Sequence, residues 1–145
     1  MPYKVQLASC VILDNYGNIL LVHRSASKVS SREAIWELPG GEVEDYETAD
    51  EVAVREISDE LSITIKLTKS LGSGEFDVDE TDYEFTWFQA VIVGDAPTLI
   101  GTKKYDDLAY FETEDLQSLA LAPGMQLLFD KIMSGEVVLN APGVV

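Results

Sequence analysis

The chain has 145 residues, with 10 Lys and Arg against 26 Asp and Glu, a net charge of −16 and a pI near 4.1. That balance excludes a general basic surface for duplex nucleic acid or for an anionic membrane. With 46% hydrophobic and 9% aromatic residues, the composition is that of one globular domain over residues 1–145, long enough to bury a core.

Val5 to Leu13 is apolar and rich in β-formers, which predicts a central strand. Cys10 lies inside it and reads as a buried structural thiol. As the single cysteine, it rules out an internal disulfide and a cysteine-cluster zinc site. Asp14 to Asn18 is a turn and Ile19 to His23 a second strand, so residues 4–24 read as a hairpin. His23 points to the opposite face from Arg24 and carries no assigned chemistry. Ser25 to Arg32, SASKVSSR, is a polar loop by default, with closure over a ligand as the alternative. Ile35 to Leu38 is a short strand, and Trp36 fits a core position better than a stacking platform.

Pro39-Gly40-Gly41 reads as a turn with backbone angles that favour glycine. A helix follows. Thr48 precedes Glu51 by the capping-box spacing, and Asp50 and Glu51 sit near the positive end of the helix dipole. Ala49, Val52, Ala53, Ile57 and Leu61 form one apolar stripe. Glu56, Asp59 and Glu60 fall at i, i+3 and i+4, so three carboxylates project from one face. Such a face is either a solvated acidic surface or one relieved by a hard divalent cation such as Mg²⁺.

Ile63 to Leu71 alternates as a strand, and Gly72-Ser73-Gly74 is expected to break it. Glu75 to Glu84 is an acidic strand entering a hairpin loop. It lacks the spacing of a calcium loop and reads as solvated charge. Tyr83 to Val93 is bulky on both faces, which predicts a strand covered on both sides. Gly94 to Tyr105 is a loop, and Asp106 to Phe111 a late strand. Thr113 to Leu116 opens a short helix. Pro123 opens the last one, packed through Met125, Leu127, Leu128, Ile132 and Met133. Residues 135–145 form a tail without a clear partner, loosely packed. The order βββαβββαα is that of an α/β chain of α+β type, a mixed sheet between helices. No segment approaches the ~18 apolar residues that span a bilayer and no secretory signal is visible, so a cytoplasmic protein is expected.

Gly41, Glu47, Arg55, Glu56, Ile57, Asp59, Glu60, Ser62 and Ile63 together resemble the Nudix box, G-x5-E-x7-R-E-U-x-E-E-x-G-U, with U a bulky aliphatic residue. Asp59 stands where the family has Glu, and Ser62 where it has Gly. Trp36 to Gly40 is similar to the usual lead-in. The resemblance implies an α/β/α sandwich and a metal-dependent hydrolase that cleaves a diphosphate linkage. It implies Mg²⁺, with Mn²⁺ as a substitute, held by Glu56, Asp59 and Glu60, with the Gly40 carbonyl as an extra ligand. Glu56 is ligand or general base, Gly41, Glu47 and Arg55 brace the box, and a late acid assists. Asp107 is the first candidate for that acid and Asp106 the second. Arg24, at a position where the family often has a basic residue facing substrate, either binds phosphate or stacks on a base. A surface salt bridge is the alternative.

The partner implied is a small nucleotide, and by the same analogy a homodimer is one expectation. The first substrate class is nucleoside triphosphates, including oxidised ones. The alternatives are ADP-ribose or another nucleotide sugar and, from another class, a Nudix-fold sensor that binds a nucleotide without hydrolysing it. Metal ions and a few basic side chains would make one positive pocket on a negative body.

Overall fold

Alternation along one strand sets the layers. The protein is described by a computed structural model covering residues 3–24, 35–99 and 104–143. Strand β6 (Thr81–Val93) turns Phe88, Ala90 and Ile92 to one side and Phe85 and Trp87 to the other. Both sides are covered. On the first lies helix α1 (Ala49–Leu61), whose Val52, Ala53, Ile57 and Leu61 are fully buried. On the second lies helix α2 (Pro123–Met133), anchored by Met125, Leu128 and Phe129.

Between the helices, β1 (Tyr3–Ile12) is central. It runs parallel to β6 and antiparallel to β4 (Gly40–Glu42), while β5 (Thr64–Val78) pairs with the outer edge of β6. The sheet is therefore mixed, with the order β4-β1-β6-β5. A second, antiparallel sheet has β2 (Ile19–Arg24) between β3 (Ile35–Glu37) and β7 (Asp107–Phe111). A short 3₁₀ helix, Thr113–Ser118, precedes α2. The fold is the α/β/α sandwich with a mixed sheet that the sequence predicts. Among the described residues no helix is long and apolar enough to cross a membrane.

Several local expectations are corrected. Residues 4–24 are not a paired hairpin. The turn is there, closed by the Asp14 carboxylate accepting the Tyr16 and Asn18 backbone N–H groups at 2.9 Å each. Only Leu13 and Ile19 bridge across it, and the two strands then enter different sheets. Each strand is apolar on both faces and takes neighbours along both edges. Gly72 to Gly74 does not end β5. The ladder absorbs irregularities between Leu67 and Lys69 and between Ser70 and Gly72, then continues to a two-residue turn at Asp79-Glu80.

The tail is anchored as far as Asn140. Val137 is buried, Lys69 donates to the Val138 carbonyl at 2.6 Å, and Gln89 exchanges two hydrogen bonds with the Asn140 backbone at 2.9 and 2.7 Å. Those two bonds satisfy the amide of Gln89, which is otherwise buried beneath the tail. Met133 is 60% exposed and leaves its packing role to Phe129.

Candidate active site

Helix α1 is held on three sides, and this fixes its acidic edge. Its N-terminus is capped by Thr48, whose Oγ1 accepts from the Glu51 backbone N–H and donates to the Glu51 carboxylate at 2.7 Å. Burying Val52, Ile57 and Leu61 contributes roughly 5–9 kcal/mol relative to leaving them in water. At the C-terminus Ser62 adopts the left-handed conformation, φ 56° and ψ 41°, and its N–H bonds the Ser58 carbonyl at 3.0 Å. The helix thus ends where a glycine-terminated helix would, with a serine bearing the strain. Arg55 ion-pairs with Glu47, whose side chain is nearly buried, and reaches Glu56 at 3.4 Å. That pair ties the helix to the loop before it.

Gly40 and Gly41 are strand residues with ordinary backbone angles, not the turn expected of them. Their role is close approach. A Cβ on Gly40 would lie 2.0 Å from the Ala8 carbonyl oxygen, and one on Gly41 would lie 2.5 Å from Glu56 Cγ. The absence of side chains lets β4 press against β1 on one side and against Glu56 on the other.

Of the three helix carboxylates, Asp59 is exposed, Glu56 half-buried and Glu60 buried. Among the described residues no three His, Cys, Asp or Glu side chains converge on one point at metal-ligand spacing. Burial raises the Glu60 carboxyl above its ordinary range, partly offset by the ammonium of Lys104; the negative charge of Glu56 pushes it further up. Lys104 Nζ donates to Glu60 Oε1 at 3.1 Å and to the Gly40 carbonyl at 3.2 Å. Its neighbour Tyr105 is buried, and burial together with the charges of Glu37 and Glu60 raises its phenol. The Tyr105 ring underlies both Lys104 Nζ, at 5.1 Å, and the Arg24 guanidinium, at 5.5 Å.

Arg24, Glu37, Gly40, Lys104 and Tyr105 rim a cleft of about 440 Å³. Arg24 projects into it and ion-pairs with Glu37 from the adjacent strand. Phe76, Tyr83, Phe85 and Trp87 give the same cleft an apolar floor. Phe76 stacks on Tyr83 at 5.2 Å and on Phe85 at 5.5 Å, and Phe85 on Trp87 at 6.3 Å, each within 16° of parallel. The cleft therefore joins a polar rim to an aromatic wall, as small-molecule sites do.

Of the residues singled out from the sequence, Gly40, Gly41 and Arg24 line this cleft. Glu56 packs against Gly41 and Glu60 is held by Lys104, so both carboxylates adjoin the lining without being part of it, and Glu47 and Arg55 brace Glu56 from the loop side. Asp107 is elsewhere: its Oδ1 takes the N–H of Leu108 at 2.8 Å. Asp106 pairs with His23 Nδ1 at 2.6 Å, so the histidine left without chemistry has a carboxylate partner, and neither residue lines the cleft. Trp36 packs between His23 and Phe111, partly buried against the core on the α2 side. Lys28 and Arg32 lie outside the described residues. Sequence reasoning missed Lys104, Tyr105 and Glu37. The available signal was a Lys-Lys-Tyr run in a chain with few cations, immediately before the late strand.

A model of the NUDIX domain matches residues 4–132. The chain belongs to the Nudix hydrolase family. Nudix hydrolases act on pyrophosphate bonds of small nucleotide substrates and generally use a divalent metal. Among curated relatives, an uncharacterized Nudix hydrolase of Bacillus subtilis (strain 168), YvcI, is 26% identical over 143 residues, covering 97% of this chain and 86% of that one. The 8-oxo-dGTP diphosphatase of Proteus vulgaris is 28% identical over 85 residues, covering 59% of this chain and 74% of that one. Among solved structures, the MutT protein from Methanosarcina mazei Go1 superimposes with a TM-score of 0.78 at 21% identity, over 93% of this chain and 96% of that one. In this Nudix chain the donor set suits a hard cation. Glu60 Oε2 is buried without a hydrogen-bond partner, and the Gly40 carbonyl and Glu60 Oε1 already share one cation, the Lys104 ammonium.

Proposed function

We propose that the protein is a nucleoside triphosphate pyrophosphohydrolase, accepting oxidised nucleotides, that works with Mg²⁺ or Mn²⁺ in the cytoplasm. The observation that carries this reading is the cleft. Its lining combines Gly41, against which Glu56 packs, and Lys104, which holds Glu60, with the stacked rings of Phe76, Tyr83 and Phe85, which suits a phosphate chain on the polar side and a flat base on the aromatic one. The relationship to an 8-oxo-dGTP diphosphatase supports the choice of substrate class.

In this reading Gly40, Glu56, Asp59 and Glu60 would hold the ion. When bound, it neutralises phosphate oxygens and acidifies water. The rest belongs to the chain. Arg24, fixed by Glu37 and by the Tyr105 ring, orients the nucleotide by a charge-assisted bond or by stacking. Glu56, held against Gly41, takes the proton from the attacking water. Water oxygen bonds to phosphorus, the P–O bond of the diphosphate bridge breaks, and the electron pair leaves with pyrophosphate. Glu47 and Arg55 position the helix without touching substrate. A homodimer is compatible with this scheme but no step needs it.

The test is product analysis from a panel of unmodified and 8-oxo nucleoside triphosphates, ADP-ribose and nucleotide sugars, with Mg²⁺, Mn²⁺ or chelator. The reading expects nucleoside monophosphate and pyrophosphate from the triphosphates, only with metal. Turnover confined to ADP-ribose or nucleotide sugars would replace the substrate class. Tight nucleotide binding without turnover would make the chain a sensor.

A further inference from the structure

Two oxygens of the proposed ion seat are already engaged by a cation that the chain supplies itself. Lys104 Nζ lies 3.1 Å from Glu60 Oε1 and 3.2 Å from the Gly40 carbonyl oxygen. These partners come from different elements, 44 and 64 residues away in the chain, so the contact is a product of the fold and not of local sequence. Tyr105 holds the ammonium from below through its ring face at 5.1 Å, and the Lys104 side chain is 34% exposed on the side that lines the cleft.

We propose that the Lys104 ammonium is a resident counter-cation of the Gly40–Glu60 seat, which a divalent ion displaces when it binds. This rests on the seat assigned under the proposed function. An ammonium and a divalent ion compete for the same carbonyl and carboxylate oxygens, and they repel each other if both stay. The buried Glu60 carboxylate needs a cation in either state, because an uncompensated charge there is strongly destabilising. Lys104 therefore stabilises the metal-free protein and weakens its metal binding by the same contact. Its partial exposure gives it an exit into the cleft, where phosphate oxygens of a nucleotide are an alternative partner. The chain is thus an enzyme whose metal affinity is set by one lysine outside the motif.

The experiment measures Mn²⁺ binding directly, by the electron paramagnetic resonance signal of free Mn²⁺, on the wild type, Lys104→Met, Lys104→Arg and Glu60→Gln. Lys104→Met frees two oxygens and removes a positive charge, so Mn²⁺ binds about tenfold tighter, the equivalent of one charge-assisted hydrogen bond. Lys104→Arg keeps the charge and stays within about threefold of the wild type. In chelator Lys104→Met melts below the wild type, and Mn²⁺ raises its Tm by the larger increment. If Lys104→Met binds Mn²⁺ no tighter than the wild type while Glu60→Gln binds it more weakly, the seat stands and the displacement is wrong. If Glu60→Gln leaves Mn²⁺ affinity unchanged, the seat itself is wrong and the displacement falls with it.

Should Lys104→Met fail to fold, acetic anhydride labelling of the wild type serves instead, read by mass spectrometry with Lys66 as the exposed internal reference. Acylation of Lys104 relative to Lys66 rises severalfold when Mg²⁺ is added above its measured Kd. An unchanged ratio overturns the displacement.

Discussion

Substituting Gly41 by Ala separates catalytic geometry from stability. The added Cβ meets Glu56 Cγ at 2.5 Å, Cδ at 2.8 Å and Cβ at 3.2 Å. Carbon atoms rest at about 3.5–4.0 Å, so the Glu56 side chain retreats by roughly 1 Å. Gly41 has ordinary backbone angles, which leaves no conformational penalty to add. The Glu56 side chain is 29% exposed and relaxes outward. The stability loss therefore lies near the low end of overpacking, about 1 kcal/mol, or about 2–4 °C in Tm. Catalysis is less forgiving. A misplacement of about 1 Å in a reacting group costs about 10²-fold. The prediction is a fall of about a hundredfold in kcat/KM for Gly41→Ala in a pyrophosphate-release assay, with circular dichroism and Tm close to the wild type. Gly40→Ala behaves in the opposite sense, since its Cβ would meet a backbone oxygen of Ala8 at 2.0 Å that no rotamer change relieves. A Gly41→Ala enzyme within about threefold of wild-type kcat/KM would refute the claim that Glu56 does its chemistry from this position.

Ser62→Gly removes a left-handed serine and is expected to stabilise the protein by about 1 kcal/mol in urea melts, with little change in rate; a loss of stability would mean that the serine side chain is needed there. Burial pushes the Cys10 thiol from 9.0 to about 12. At pH 8 its thiolate fraction is about 10⁻⁴, so a disulfide reagent should label it only on unfolding; prompt labelling of native protein would contradict its burial. The folded value lies above the unfolded one, so this thiol's contribution to stability is complete below pH ~9 and is lost as the pH rises toward 12. The exposed Asp107 bonds its neighbour's N–H, so Asp107→Asn should lower kcat by less than about fivefold. A loss of a hundredfold or more would return Asp107 to the machinery.

What the sequence made legible was local. The cap at Thr48, the apolar stripe of α1 and the spacing from Gly41 to Ile63 all lie within one loop and one helix, and periodicity reads such segments well. The strand at Tyr83 to Val93 was legible as two-sided because both of its faces carry bulk. The failures have a common cause. Gly40-Gly41 carries the same signal whether glycine is needed for a turn or for close approach, and only the position of Ala8 and Glu56 decides between them. The splitting of β1 from β2 depends on which edges find partners, which no turn residue announces. Lys104 and Tyr105 sit in a stretch without periodicity, and they acquire meaning only from residues far along the chain. Asp106 and Asp107 are adjacent and chemically alike; backbone register sends one to His23 and the other to its own neighbour's N–H.

Nucleotide binding and turnover, measured side by side for the wild type and Glu56→Gln with Mg²⁺ and with chelator, test the proposed chemistry most directly. The wild type should release pyrophosphate from a nucleoside triphosphate only with metal. Glu56→Gln should fold normally and bind the nucleotide with similar affinity, while kcat falls by about 10²–10⁴-fold. Turnover by Glu56→Gln at the wild-type rate, or wild-type turnover that persists in chelator, would contradict the proposed chemistry.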